Sequence, residues 1–595
     1  MKILRNHVEP ALGAALESIG IDNDSWKSML SQSRELSQGD LSLPCFPFAK
    51  QLGRSPNDIA EELSQTIEVN EAIGEVSSTG GYLNFKAAPK WLAKQLLSGM
   101  VRIGDAYGKK SDTGRQVLIE HTSANPNGPF HVGRARNAIL GDTLVRLHRL
   151  LGNEVRAEYY VDDMGKQVGV LAWALDNLSE QDVENILEDK KSVNEKWSDK
   201  ADHTRVRWYQ AAQKLRKDDS NNEDMEKEIG RLVHASEHGD KSVLKQFHDS
   251  FQPVLDGMLE TLSRLGIEFD QFTNESMFVT NGDVAKLTET LSKLEIHGVA
   301  DNGAEYLDLG ARGMKGKTEF FFKRGDGSSL YATRDIAYHI WKWNQCDDLI
   351  NILGEDHKLQ SKQVGMTLQE LGHKVPEVLF YSFIKLPEGK MSTRRGNVVF
   401  MDDLLEEAKE HASKIVRELR TDYSDQEVAH IAESVGRSAI RFNIIKVSPD
   451  KGFTFRWEEA LAFEAGSAPF IMYSHTRALS IANKCVDNGI DVDAITNKKI
   501  DFSIINSELP ESLVDLLRCM ATQNDALERS VTQCRPNLFA NQVLNLATNF
   551  NGFYRDCKII DEGKVNELYL QISQLASKFL KTGMEGLGII PLKRM

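Results

Sequence analysis

Residues 123–141 read SANPNGPFHVGRARNAILG and lie where a short apolar strand, VLI at 117–119, gives way to an amphipathic helix. Leucines recur at helical spacing after the turn, and prolines and glycines punctuate the turn itself, so the helix is predicted to begin near His131. The free N–H groups and the positive dipole end of that helix favour an anion, and glycines let a phosphate approach closely. The stretch therefore indicates a nucleotide triphosphate site, although such a turn also occurs in other doubly wound domains.

A second motif is the basic segment KMSTRRGN at residues 390–397, which follows the strand-like apolar run at 378–386. Ammonium and guanidinium groups on a loop can neutralise charge that develops on a leaving pyrophosphate. A basic loop alone is more often a solvated surface. The pair of motifs is far more specific than either motif by itself.

The two motifs resemble the HIGH and KMSKS elements of class I aminoacyl-tRNA synthetases, here His131-Val132-Gly133-Arg134 and Lys390-Met391-Ser392-Thr393-Arg394. Arg134 stands where the usual motif has its second histidine. Within the class, the chain resembles arginyl-tRNA synthetases through SANPNGPFHVGRARN, through LYATRDIAY at 330–338 and through its terminal LKRM. The resemblance implies activation of L-arginine by ATP to arginyl-adenylate, transfer to the 3' end of tRNA(Arg), and activation that requires bound tRNA.

Neither reaction step needs a protein nucleophile, so catalysis is expected to depend on alignment of the reactants and on stabilisation of phosphate charge. The predicted catalytic residues are His131, Gly133, Arg134, Lys390, Ser392 and Arg394. The predicted ATP-binding residues are Pro126, Gly128, His131, Gly133, Lys390 and Met391. Mg²⁺ is expected to arrive with ATP, held by phosphate oxygens and water, and no protein-bound structural metal is expected.

A site for arginine must bind a planar cation with about five donors, which requires fixed carboxylates and an aromatic wall. Glu120 ends the first strand, and the four-residue spacing of Tyr331 and Asp335 puts both on one helix face. By resemblance, Glu120, Asn125, Tyr331 and Asp335 fall on arginine-binding positions, with Asn125 towards the amino-acid backbone. Without the resemblance, Asp335 would be read as a helix carboxylate paired with Arg334 or a lysine.

His357 follows another apolar strand, residues 349–353, at the sheet edge where doubly wound folds place their ligands. It is predicted to touch the substrate ammonium or the ribose. Capping of the next helix is an equally good explanation of this histidine.

The composition is that of an ordinary globular protein, with 595 residues, 27% charged and 41% hydrophobic. No apolar run reaches the ~18 residues that span a bilayer, and no signal-peptide core follows the N-terminus, so a cytoplasmic location is expected. The six cysteines form no CxxC pair, which argues against a zinc knuckle and a disulfide framework. A net charge of −15 is compatible with RNA binding only if Lys and Arg cluster on one face.

Three domains are predicted: an α+β N-terminal unit over residues 1–112, a Rossmann-like doubly wound parallel-sheet domain over 113–404, and an all-α helical bundle over 405–595. A charged stretch around 178–250 is expected to be a helical insertion with a solvated loop, and a pair of surface helices without a chemical role is the favoured interpretation. By resemblance, the first unit contacts the outer corner of tRNA and the bundle binds the anticodon. The predicted tRNA-binding residues, each of which could also be packing, are Phe46, Tyr82, Tyr473, Arg477, Tyr554 and Met595.

Other classes of protein stay open at this point. The chain could be a catalytically silent tRNA-binding relative, although intact His131, Gly133, Lys390 and Asp335 argue against it. It could also be a class I synthetase for another amino acid, or a nucleotidyltransferase. A nucleotidyltransferase would have no use for the two flanking domains. A monomer is expected.

Overall fold

The computed structural model describes residues 1–33, 38–103, 112–188, 195–217, 223–385, 399–502 and 508–595. Among the helices in these ranges, none has both the length and the apolar character needed to span a membrane.

The N-terminal region is a small α+β unit built on a four-stranded antiparallel sheet of order β1-β2-β4-β3. Gly80 and Gly81, both at positive φ, form the two-residue loop of the β3–β4 hairpin, so the predicted strand, turn and strand are present. The elements are α1 (Lys2–Ser18), α2 (Trp26–Met29), β1 (Ser31–Gln32), β2 (Leu41–Pro44), α3 (Phe46–Leu52), α4 (Pro56–Thr66), β3 (Ile73–Thr79), β4 (Tyr82–Ala87) and α5 (Pro89–Ile103).

Five parallel strands form the central sheet, in the order β12-β11-β5-β6-β7. The strands are β5 (Gln116–Glu120), β6 (Glu154–Val161), β7 (Gln271–Asn274), β11 (Asp348–Gly354) and β12 (Glu377–Tyr381). The three central strands β5, β6 and β11 are mostly buried, as expected for strands of a sheet covered on both faces. Strand order reverses between β5 and β11, and ligands of doubly wound sheets bind at the carboxyl ends of strands at such a point. The predicted fold class is confirmed.

Helices and a small second sheet surround these strands. Helix α6 (Val132–Leu150) packs against β5, β6 and β11. The other elements are α12 (Ser276–Thr280), α13 (Asp283–Leu291), β8 (His297–Val299), β9 (Glu305–Asp308), β10 (Glu319–Lys323), α14 (Tyr331–Trp343), α15 (Lys358–Glu370) and β13 (Ile384–Lys385). Strands β8 to β10 form an antiparallel sheet of order β10-β9-β8.

The charged stretch after β6 is helical in the ranges that the structure describes. Its helices are α7 (Lys166–Asn177), α8 (Glu180–Leu187), α9 (Ala201–Lys217), α10 (Glu223–Glu237) and α11 (Lys241–Arg264). They pack on one another, with α9 in contact with α7, α8 and α11. This region is more than the expected pair of surface helices.

The C-terminal region is a helical bundle to which short strand pairs are added. Its elements are α16 (Met401–Leu419), α17 (Asp425–Ile445), β14 (Phe453–Thr454), α18 (Trp457–Ala460), α19 (Ala468–Asp487), α20 (Val492–Asn497), α21 (Glu511–Thr532), α22 (Pro536–Asp556), β15 (Ile560–Asp561), β16 (Lys564–Val565) and α23 (Glu567–Gly586). Helices α17, α21, α22 and α23 also contact α6, so the bundle lies directly against the helix that follows β5.

Candidate active site

The turn after β5 is held to the sheet by an asparagine of the following helix. The N–H of Thr122 donates to Oδ1 of Asn137 at 2.7 Å, and Nδ2 of Asn137 donates to the carbonyl of Ile352 on β11 at 2.9 Å. Thr122 and Ser123 have φ of 69° and 37°, in the left-handed region that favours glycine. Such backbone persists only where its surroundings hold it, and here Asn137 ties the turn to both strands of the switch point.

His131 is the N-cap residue of α6, so the helix begins where the sequence predicted. A Cβ on Gly133 would lie 2.9 Å from Nδ1 of His131, and only glycine leaves room for this imidazole over the first helical turn. Burial, together with the charge of half-buried Arg134, lowers the pKa of His131 to about 4. A neutral imidazole therefore lies at the N-terminus of α6 at pH 7.

Backbone pairing joins this turn to the start of α16. The N–H of Val132 donates to the carbonyl of Val399 at 3.0 Å, and the N–H of Met401 donates to the carbonyl of Phe130 at 2.8 Å. His131 and Phe400 thus form an isolated antiparallel bridge. Residues 399–401 follow the basic motif, whose predicted site residues lie outside the described part of the chain: Lys390, Met391, Ser392 and Arg394.

Helices α7 and α9 hold the other side of the turn. Gly128 packs so closely that a Cβ on it would meet Cγ2 of Val206 on α9 at 2.6 Å. The side-chain amides of Asn125 and Asn127 both donate to Oε1 of Gln167 on α7, at 2.9 and 3.0 Å. Pro126, between the two asparagines, is buried.

The two predicted guanidinium carboxylates belong to one connected polar cluster. Glu120 accepts a hydrogen bond from Nζ of Lys342 at 2.6 Å, and Asp335 faces Nδ1 of His339 at 3.1 Å. Lys342 and His339 lie on α14 with Asp335, and Nζ of Lys342 is 3.4 Å from Nε2 of His339. The fold therefore brings the end of β5 and the inner face of α14 together.

The remaining predicted arginine-site residues lie around this cluster. Tyr331 is the first residue of α14 and is 47% exposed, and exposed His357 lies in the 3₁₀ turn that follows β11. Burial alone would raise the pKa of Asp335, but His339, Lys342 and His357 hold it below its ordinary value. Arg334 forms its ion pairs with Glu275 and Glu237 and not with Asp335, whose partner on the same helix is His339, one turn further along.

Further acids lie beside Glu120. Glu158 on β6 stands opposite Glu120 in the strand register, and burial raises the pKa of Glu158 to about 7. Burial likewise raises the pKa of Asp162, at the end of the same strand, to about 6. This edge of the sheet is rich in carboxyl groups and suits a cationic ligand.

The predicted RNA-contacting residues divide into three environments. Tyr473, Arg477 and Tyr554 form one cluster in the bundle, with the guanidinium carbon 4.8 Å from the centre of each ring. Phe46 and Tyr82 meet edge to face at 5.3 Å on the N-terminal unit, and both are well exposed. Met595 is buried, and its carbonyl accepts hydrogen bonds from Arg420.

Sequence reasoning missed the residues that hold these groups in place: Gln167, His339, Lys342 and Asn351. The sequence contained a pattern that points to two of them, His339 and Lys342. Tyr331, Asp335, His339 and Lys342 are spaced four, four and three residues apart, which is one face of a helix. Gln167 and Asn351 lie on separate elements with no comparable pattern.

The parallel sheet carries a helix at its switch point, and His131 is the N-cap of that helix. Backbone pairing joins this turn to residues 399–401, which follow the distant basic motif. This is the arrangement of class I aminoacyl-tRNA synthetases. That is the class of protein that this fold and site define. Family models agree: tRNA synthetases class I (R), catalytic domain, matches residues 96–457, the arginyl tRNA synthetase N terminal domain matches 3–87, and the DALR anticodon binding domain matches 471–595. The chain belongs to the arginyl-tRNA synthetase family.

Individual relatives and structures point the same way. The arginine–tRNA ligase of Methanocella arvoryzae is 39% identical over 559 residues, 93% of each chain, and that of Archaeoglobus fulgidus is 38% identical over 94% of this chain and 96% of its own. The structure of Thermus thermophilus arginyl-tRNA synthetase aligns with a TM-score of 0.79 at 25% identity, covering 99% of this chain and 100% of that one. The predictions of an arginyl-tRNA synthetase and of its enzyme class are confirmed.

Proposed function

We propose that the cleft at the carboxyl ends of β5 and β11 makes arginyl-adenylate from L-arginine and ATP and then transfers the arginyl group to tRNA(Arg). The arginine carboxylate attacks the α-phosphate of ATP, and pyrophosphate leaves. A hydroxyl of the terminal tRNA ribose then attacks the acyl carbonyl, and AMP leaves. The observation that carries this proposal is the position of the His131 turn and of the Glu120–Lys342–His339–Asp335 cluster on the same edge of the sheet.

ATP, with Mg²⁺ on its phosphates, is placed against the N-terminus of α6. The N-terminus of the helix and neutral His131 donate to phosphate oxygens. The small or compact residues Pro126, Gly128 and Gly133 let the phosphates approach the backbone of the turn. Arg134 adds positive charge at the position of the usual second histidine. We assign Lys390, Met391, Ser392 and Arg394, which precede the paired residues 399–401 in the chain, to neutralising the charge of the pyrophosphate.

L-Arginine is placed over the inner face of α14. Asp335 and Glu120 accept the guanidinium donors, Tyr331 supplies the aromatic wall, and Asn125 contacts the amino-acid backbone. His357, at the rim, touches the substrate ammonium or the ribose. A site built this way leaves buried carboxylates poorly paired when a smaller analogue enters.

For tRNA, we assign the exposed aromatic groups at the two ends of the chain. Tyr473, Arg477 and Tyr554 offer a stacked, cationic surface to unpaired anticodon bases. Buried Met595, whose carbonyl accepts from Arg420, contributes to the same domain through packing. Phe46 and Tyr82 contact the outer corner of tRNA. The net charge of −15 makes this binding dependent on local clusters and sensitive to salt.

Each predicted domain has its own role. Residues 1–112 contact the outer corner of tRNA, and residues 113–404, with the insertion around 178–250, carry out both chemical steps. Residues 405–595 bind the anticodon. All five strands of the parallel sheet lie within 113–404, which supports this division. The protein acts as a cytoplasmic monomer.

The test is ATP–pyrophosphate exchange with each of the amino acids, run with and without tRNA. Arginine-dependent exchange that needs tRNA(Arg) is the expected result. Exchange with a different amino acid would replace arginine as the substrate. No exchange under any condition, in a protein that still binds tRNA, would favour a silent tRNA-binding relative.

A further inference from the structure

A chain of buried polar side chains lies behind the proposed arginine site and links its two carboxylates. Lys342, in the last turn of α14, is completely buried. Its Nζ donates to Oε2 of Glu120 at 2.6 Å and to Oδ1 of Asn351 at 3.1 Å, and it lies 4.1 Å from the centre of the Tyr338 ring. A buried ammonium is tolerated only when anionic and polar partners replace its water, and this one has them.

The chain continues from Asn351 to Asp335 through one imidazole. Nδ2 of Asn351 donates to Nε2 of His339 at 2.8 Å, because the Oδ1 of the same amide faces the lysine. His339 therefore carries its hydrogen on Nδ1, which faces the backbone carbonyl of Asp335 at 2.8 Å and its Oδ1 at 3.1 Å. Every donor in the chain meets an acceptor in the order Lys342, Asn351, His339, Asp335.

The two carboxylates are not equivalent in this arrangement. Glu120 has both oxygens engaged, Oε2 by Lys342 and Oε1 by the hydroxyl of Ser123 at 3.1 Å. Asp335 contacts His339 through Oδ1, and among the described residues Oδ2 has no hydrogen-bond donor. Within this chain of groups, the two carboxylates and the ammonium sum to one negative charge, which balances the charge of one guanidinium.

We propose that Lys342 is a positioning and specificity-determining residue, which fixes Glu120 directly and Asp335 through Asn351 and His339, so that the pocket accepts arginine and rejects lysine. This inference rests on the proposed function. A planar guanidinium spreads its charge and can bridge from Oδ2 of Asp335 to the outer lone pairs of Glu120. A substrate lysine would bring a second compact ammonium to a carboxylate that already holds one, and the like charges would repel.

The decisive variant is Lys342→Met, which removes the terminal ammonium and keeps an unbranched side chain of nearly the same length. We expect the KM for arginine to rise about 30-fold or more, because one partner of a buried charge pair is lost, while the KM for ATP stays within about twofold. The preference for arginine over lysine, compared as kcat/KM in the exchange assay, is expected to fall about tenfold or more.

The matched control is Lys374→Met, the same change at an exposed lysine whose Nζ is 5.5 Å from the ring of Trp343, next to Lys342 in the chain. Its kinetics should equal those of the unmodified protein. His339 supplies a second pair of variants in case Lys342→Met does not fold. His339→Leu should raise the KM for arginine, and His339→Gln, which keeps a donor for Asp335, should restore part of the loss.

The outcomes separate this inference from the proposed function. If the unmodified protein shows no arginine-dependent exchange, the proposed function fails. If it does, and a folded Lys342→Met protein keeps both its arginine KM and its preference over lysine, only the positioning role is overturned. Equal increases in the KM for arginine and for ATP would also overturn it, because general loosening of the fold would then explain the effect.

Discussion

His131 and Asp335 carry fixed ionisation states because of what surrounds them. The imidazole is neutral since burial and Arg134 disfavour its protonated form. The carboxylate is ionised since His339, Lys342 and His357 outweigh the effect of burial. At neutral pH the cleft therefore presents a neutral imidazole to the proposed phosphates and an anion to the proposed guanidinium.

Asp335→Ala tests that assignment at a single residue. We expect the KM for arginine to rise about 100-fold, the loss of one charge-assisted contact, with little change in the KM for ATP. Steady-state ATP–pyrophosphate exchange, with each substrate varied in turn, measures both constants. Comparable losses for arginine and ATP would reject a guanidinium role for Asp335.

A buried histidine at the end of α6 makes stability depend on pH in a direction that can be worked out. Burial lowers the pKa of His148 to about 4 from the ordinary 6.5, so below pH 6.5 the unfolded chain takes up a proton that the folded protein refuses. The free energy of unfolding is therefore not reduced by His148 above pH 6.5, and it decreases as the pH falls from 6.5 towards 4.

His148→Gln should abolish that contribution. The free energy of unfolding, measured in urea, should fall for both proteins when the pH is lowered from 7.5 to 5.0. The fall should be smaller in the variant, by about 2 kcal/mol. The comparison between the two proteins removes the effect of all other titrating groups. An identical pH dependence would show that His148 does not titrate in this way.

At the scale of elements, the helical insertion makes buried hydrogen bonds to the start of α16, which follows the basic motif in the chain. Oδ2 of Asp402 accepts from Nζ of Lys200 at 2.7 Å and faces Nε2 of His203 at 2.9 Å, and Thr261 donates to the same carboxylate at 3.0 Å. These four side chains come from α9, α11, α16 and the residue before α9, and all are buried. Helices that the sequence marks as a charged surface thus anchor the residues that pair with the His131 turn.

Asp402→Ala should destabilise the protein by about 3 kcal/mol, because Lys200 would be left buried with one fewer anion. Urea unfolding at pH 7.5 measures the change. The control is Glu410→Ala, on the same helix but exposed, for which about 0.5 kcal/mol or less is expected. If the two variants lost the same stability, the buried cluster would not be what holds α16.

At the scale of the whole molecule, one buried arginine joins the bundle to the helix of the site. Arg441 on α17 donates to Oδ2 of Asp142 on α6 at 2.6 Å, to the carbonyl of Leu265 at 3.1 Å and to that of Leu587 at 3.2 Å. The guanidinium is fully buried and makes contacts with three separate regions of the chain. A buried ion pair therefore connects helix α6 of the site to the C-terminal bundle.

Arg441→Met should lower the free energy of unfolding by about 3 kcal/mol, since it removes one of the two arginine partners of buried Asp142 and leaves only Arg146. The double variant Arg441→Met with Asp142→Leu should recover part of that loss, because the buried carboxylate is then removed together with its buried partner, and half-buried Arg146 keeps its hydrogen bond to the carbonyl of Gly266. Arg417→Met, at an exposed ion pair with Asp425, serves as the control and should change little. A double variant no more stable than Arg441→Met would mean that the pair does not contribute through charge.

The sequence by itself determined the features whose cause is local. The strand at 117–119, the turn and the helix from His131 follow from periodicity and from glycine and proline placement, which act over a few residues. The β3–β4 hairpin and the helical C-terminal region follow from the same kind of pattern. Glu120, His131 and Asp335 could be predicted as site residues because motif and helical spacing are also short-range signals.

Only the tertiary structure decided which distant groups share a hydrogen bond. Lys342 and Glu120 are 222 positions apart, Lys200 and Asp402 are 202 apart, and Asp142 and Arg441 are 299 apart. Each pair exists because strand order and helix packing bring two surfaces together, and no local pattern encodes that meeting. A buried charge needs its partner within hydrogen-bond distance, so these pairings follow from how the whole chain packs.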